Sequence, residues 1–199
     1  MRHREFFERL PDLFHRANQR LWEHYEEALF TVKRPFTHGN YWAVRRYMGG
    51  NPPQVALNDQ RSHNQLDPVL ARARYPEADH LERLEDFTES RVDFASALLH
   101  FYNPAYPIFD DATVRGINQL DPDIRFTPNF EEGTVAAFQA FIDAVQALKD
   151  EIPFNFVPEK NYYLTRIIQE GLWQLGLEQP VPAPRRKAAS RRAGPHGES

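Results

Sequence analysis

Residues 134–149 read TVAAFQAFIDAVQALK, and the apolar side chains of Val135, Phe138, Phe141, Ile142, Val145 and Leu148 recur at three- and four-residue intervals. That period puts them on one stripe of an α-helix; in a strand, alternate side chains would point to opposite faces. The stretch NYYLTRIIQEGLWQLG carries the same pattern in Leu164, Ile167, Ile168, Leu172 and Leu175, with Gly176 placed as a helix C-cap. No apolar–polar alternation runs long enough to build a sheet, so the expected fold is all-α.

The remaining elements follow from the same reasoning. From Asp12 to about Phe30, Leu13, Ala17, Leu21, Ala28 and Leu29 keep helical spacing, with Pro11 in the first turn, where its missing N–H is harmless. Shorter helices are expected at 41–48, at 77–87 with Leu81 and Leu84 inward, and at 91–102. The rest of 36–76, including THGNYW and MGGNPP, reads as loops, and PDIRFTPNFEEG as a connector. The expected organisation is one compact helical domain over residues 1–179, followed by a tail over 180–199, PVPAPRRKAASRRAGPHGES. The tail has almost nothing to bury and is expected to be disordered.

Charge sharpens this division. The 199 residues carry a net charge of −4. The tail holds Arg185, Arg186, Lys187, Arg191 and Arg192 against Glu198, so the body is about −8 by difference. An acidic body argues against a broad nucleic-acid-coating surface but leaves room for a local basic patch. The tail is readable as a weak nucleic-acid tether or as a solubilising extension. The absence of cysteine excludes disulfides, thiolate zinc sites and a cysteine nucleophile. No apolar run approaches the roughly 18 residues that span a bilayer, and MRHREFFERLPDLF is charged throughout, so no membrane partner is expected and a cytoplasmic location is.

Common catalytic signatures are missing: there is no P-loop, no G-x-G-x-x-G, no H-E-x-x-H and no G-x-S-x-G. The one Glu-x-x-His, Glu77 to His80, lacks the second copy that a di-metal bundle site needs. His100 in ALLHFY reads as a packed histidine, Glu23, Glu26 and Glu27 as a solvated helix face, and Trp22, Trp42 and Trp173 as core.

The segment FASALLHFYNPAYPIFDDATVRGI resembles the second half of the helix-hairpin-helix signature of base-excision DNA glycosylases. Phe94–Phe101 is similar to the small-residue helix of that signature, Ile108-Phe109 to its apolar pair, Asp110 to its aspartate and Arg115 to its helical arginine. The likeness is closer still to uncharacterised bacterial relatives of the superfamily, which carry ASxxLHF…P…YPIxD and a late ALWQ segment, here GLWQ at 171–174. Their upstream YW…R element resembles Tyr41, Trp42 and Arg45 or Arg46, so the looser likeness covers 40–176.

The resemblance implies the helix-hairpin-helix glycosylase fold and double-stranded DNA as partner, with Arg45, Arg46, Arg91 and Arg115 as phosphate-contacting candidates. It implies Asp110 as the catalytic carboxylate of a monofunctional glycosylase, which needs that aspartate and a water but no cofactor and no metal. Two departures are visible. The hairpin glycines, which let backbone N–H groups approach a phosphate, are absent from TESRVDF. The place of the lysine nucleophile of bifunctional members holds Val92 or Asp93. Two functional classes therefore stand open: a DNA-associated protein, catalytic or not, and a helical interaction protein that kept the fold and lost DNA contact. For Asp110 itself, FDDATV is also an ordinary helix start, and capping alone accounts for an aspartate there.

Overall fold

The computed structural model describes residues 1–32, 38–48, 60–88, 90–153 and 164–179; the tail expected at 180–199 lies outside the described residues. Among the described residues eight α-helices follow one another: α1 (His3–Thr31), α2 (His38–Tyr47), α3 (Gln60–Arg72), α4 (Asp79–Glu82), α5 (Val92–Tyr102), α6 (Asp111–Ile117), α7 (Thr134–Glu151) and α8 (Leu164–Leu177). A 3₁₀ turn at Glu85–Phe87 separates α4 from α5. Among the described residues the architecture is all-helical, with a single isolated antiparallel bridge between Arg91 and Asn129. No helix of the described residues is long and apolar enough to cross a membrane.

One hydrophobic core draws on all eight helices, from Phe6 and Leu10 of α1 to Leu172 and Leu175 of α8. The stripes of α7 and α8 point where their periods require. Phe138, Phe141, Ile142, Val145 and Leu148 are buried, as are Ile167 and Ile168, while Val135 and Leu164 pack half-buried at the edge.

Four expectations need correction. The first helix starts at His3, so Pro11 lies well inside it. Burial of Phe6, Phe7 and Leu10 on the face shared with Leu13 and Ala17 gains about 2 kcal/mol per large side chain and outweighs one lost backbone hydrogen bond. The side chain of Leu21, placed on the same stripe, lies outside the described residues. Residues 60–72, read as loop, form α3; Leu66, Leu70 and Ala73 at i, i+4 and i+7 are buried and anchor it despite Pro68. The helix expected over 77–87 breaks after Glu82 into the 3₁₀ turn, although Leu81 and Leu84 are inward as expected.

Gly176 is the fourth. It is not a cap but lies in the last turn of α8, which runs to Leu177. A Cβ at Gly176 would stand 1.8 Å from the Ala112 carbonyl oxygen, and one at Gly116 would stand 2.0 Å from the Leu172 carbonyl oxygen. The glycines are there for close helix approach: α6 lies backbone against backbone on α8, and this contact sets where the start of α6, with Asp110, is held.

Candidate functional site

Asp110 precedes the first turn of α6 in extended conformation (φ −120°, ψ 166°), and its Oδ1 accepts the Thr113 N–H at 2.8 Å. The capping role expected from FDDATV is therefore real. The same residue also lines a pocket of about 470 Å³ with Tyr47, Met48, Asp93, Asp111, Ala112, Phe126, Pro128 and Trp173. That volume falls within the roughly 300–1,000 Å³ typical of small-molecule sites. Its walls come from α2, α5, α6, the connector before α7, and α8. Trp173, expected in the core, is half-buried on the pocket wall; the side chains of Trp22 and Trp42 lie outside the described residues.

Burial pushes the Asp110 carboxyl up from 3.8 to about 6; N–H donors at Thr113 and Ala112 work against the rise, and the Asp93 charge adds to it. Asp93 accepts from Arg91 Nε at 3.0 Å, from Arg91 Nη2, and from the Phe94 N–H at 2.8 Å. Asp111 is mostly exposed and pairs with Arg115 at 2.6 Å. The pocket thus combines three aspartates with aromatic walls.

The candidate arginines are already engaged. Arg91 bonds Asp93, Arg115 bonds Asp111, and Arg46 bonds Glu27 of α1 at 2.7 Å. Arg45, half-buried on the same turn of α2, also has a partner. Just before α5, Ser90 takes a left-handed φ of +59° without glycine. The N–H groups of Ser90, Arg91 and Val92 are donated to the carbonyls of Glu85 (3.1 Å), Thr88 (2.9 Å) and Pro128 (3.0 Å). Those three donors are used within the fold and not presented to a phosphate.

Behind the pocket lies a polar network that the sequence reading missed. Arg166 of α8 is 2% exposed; it donates to Glu170 at 2.7 Å, Asn18 at 2.9 Å and Glu26 at 3.1 Å, and its guanidinium sits 3.6 Å over the Tyr25 ring. Glu26 is thus a partner of a buried cation, not a member of a solvated face; the Glu23 side chain lies outside the described residues, and Glu27 pairs with Arg46. The legible signal was an Arg-x-x-x-Glu spacing on the apolar face of a helix. Tyr47 joins network and pocket: burial raises its hydroxyl well above its ordinary value, and the charges of Glu170 and Asp110 push the same way.

His100 is buried as expected. Its Nδ1–H donates to the Tyr106 carbonyl at 2.6 Å and its Nε2 accepts from the Tyr25 hydroxyl at 2.8 Å. Burial lowers its pKa to about 4, with the Arg166 cation adding to the fall. His80 bonds the Tyr106 hydroxyl at 2.8 Å. Among the described residues no three His, Asp or Glu side chains come together as a metal site.

These shifts predict a pH signature. Asp110 has its folded pKa raised, so its contribution to stability is fully present below about 3.8 and is lost as pH rises through about 6. His100 has its folded pKa lowered, so its contribution is present above about 6.5 and is lost as pH falls toward 4. Asparagine caps helices as well as aspartate does. Asp110→Asn should therefore stabilise the protein at pH 7.5 by about 1 kcal/mol once the shift is discounted for partial exposure. Thermal melts should show a rise of roughly 2–4 °C that disappears below pH 4. A lower melting temperature at pH 7.5 would contradict the assignment.

No family model, curated protein or solved structure matches the chain.

Proposed function

We propose that this chain is a divergent DNA-binding relative of the helix-hairpin-helix glycosylases, in which the pocket takes an unstacked base and Asp110 assists cleavage of the bond joining it to the sugar. The observation that supports this reading is the position of Asp110: a carboxylate with burial-raised proton affinity on the wall of a pocket built with Tyr47, Phe126 and Trp173. Aromatic walls offer stacking faces to a flat ring withdrawn from a duplex. At neutral pH a carboxyl titrating near 6 is mostly ionised, and its poorly solvated charge gains more from a cationic, breaking sugar than from the neutral ground state. The same value suits proton uptake near working pH. Aspartate and water suffice, and no cofactor is invoked.

The test is base release from duplexes carrying alkylated, deaminated or oxidised bases, read as alkali-labile sites. At least one duplex should be cleaved, and Asp110→Asn should lose about 10²–10³-fold in rate. Failure of the wild-type protein on every duplex would reject catalysis.

A second reading, a helical interaction protein that no longer contacts DNA, is favoured by the engaged arginines and the internally bonded N–H groups of 90–92. Fluorescence anisotropy on duplex DNA at two salt concentrations separates the two. Salt-sensitive binding that persists in a chain ending at Glu178 supports the first reading, and binding that never appears or vanishes with the tail supports the second.

A further inference from the structure

We infer that Asp93 and Asp110 act as a carboxylate pair: Asp93, clamped by Arg91 and the Phe94 N–H, is the standing negative charge that faces the reacting sugar, and Asp110 takes up and returns the proton of the attacking water. This rests on the reading of the Asp110 pocket given above.

The two side chains reach one cavity from different elements, Asp93 from the first turn of α5 and Asp110 from the start of α6. Their surroundings differ. Asp93 receives three N–H donors, two of them from a guanidinium, and these charge-assisted bonds fix its position. Asp110 receives the Thr113 N–H at 2.8 Å and the Ala112 N–H, with no cation paired to it among the groups that shift it, and shares its pocket with Phe126, Trp173 and Met48, which solvate charge poorly. Two acids whose environments diverge in this way divide the work of hydrolysis, one holding charge and the other moving a proton. The groups that face Asp110 are Asp93 with its partner Arg91, Tyr47 of α2, and its own neighbour Asp111 with its partner Arg115; the charges of Glu170 and Arg166 of α8 act on Tyr47.

In the step itself, the water oxygen bonds to the sugar's anomeric carbon as the carbon–nitrogen bond breaks, and that bond's electron pair leaves on the base. One water proton passes to Asp110 and then to the departing base nitrogen. The products are a sugar hydroxyl and a neutral base, and no oxidant or metal is consumed. Positive charge on the sugar peaks midway, where the fixed charge of Asp93 stabilises it most.

The test uses the full-length protein and two substitutions of opposite sign. Carboxyl ¹³C NMR follows the titration of Asp110. Asp93→Asn should lower its midpoint by about half a unit, and Arg91→Gln, which removes the countercharge beside Asp93, should raise it by a similar amount. On a duplex that the wild-type protein cleaves, Asp93→Asn should lower kcat about 100-fold with KM changed less than about threefold, and the acid limb of the pH profile should move with the NMR midpoint. An Asp110 midpoint that is the same in wild type and both variants, or wild-type kcat in Asp93→Asn, would overturn the pair. Should Asp93→Asn fail to fold, the Arg91→Gln titration decides alone. A wild-type protein that cleaves nothing removes the glycosylase reading and the catalytic half of this one, while the titrations still decide whether the carboxylates are paired.

Discussion

Replacing Gly176 with alanine is expected to lower the melting temperature by roughly 6–12 °C, the equivalent of about 3 kcal/mol in a chain of this size. Helix propensity taken alone predicts the opposite sign, since alanine is favoured over glycine inside a helix by about 1 kcal/mol. Overlap decides the outcome. The added methyl would stand 1.8 Å from the Ala112 carbonyl oxygen, and the obstacle is backbone, which cannot rotate away as a side chain can. Helices α6 and α8 would have to separate, carrying the start of α6 and Asp110 away from Trp173. Gly133 provides the contrast. Its φ of +88° disfavours a side chain, yet nothing lies within 4 Å of the added atom. Gly133→Ala should therefore cost only about 1 kcal/mol of backbone strain. Thermal melts of both variants check the pair; equal losses would show that helix approach is not what requires Gly176.

Arg166→Met is expected to destabilise the protein by about 3–5 kcal/mol, because it leaves Glu170, 1% exposed, without its partner. The Glu170 carboxyl is already raised by burial, with the Arg166 cation holding it down, and its Oε2 has no hydrogen bond. Removing the cation pushes the carboxyl further toward its neutral form, so the loss should be smaller at pH 4.5 than at pH 7.5. The double variant Arg166→Met, Glu170→Leu removes both buried charges and should recover most of the stability, leaving Glu26, which is partly exposed, to turn toward solvent. Urea denaturation of the two single variants and the double variant at both pH values measures the coupling. A double variant as unstable as Arg166→Met would mean that the arginine matters through packing on Tyr25 and its bond to Asn18, not through the ion pair.

What the sequence by itself determined rests on interactions between residues a few positions apart. The stripes of α7 and α8 follow from a period of 3.6, and the Asp110 cap follows from FDDATV because its donor, the Thr113 N–H, is three residues away. His100 was legible as a packed histidine from its apolar neighbours. Local signals also misled where packing outweighed them: Pro11 and Pro68 suggest boundaries that the buried faces of α1 and α3 override, and Gly176 suggests a cap where α8 needs a residue without a side chain. The pocket had no local signature, since Tyr47, Asp93, Asp110, Phe126 and Trp173 come together only when α2, α5, α6 and α8 pack. Whether Glu26 faces water or a buried cation depends on Arg166, 140 residues away. The all-helical class and the capped start of α6 were thus set by neighbours along the chain, whereas the pocket, the engaged arginines and the raised proton affinity of Asp110 were decided by tertiary structure, because burial and charge pairing depend on residues that meet only in the folded molecule.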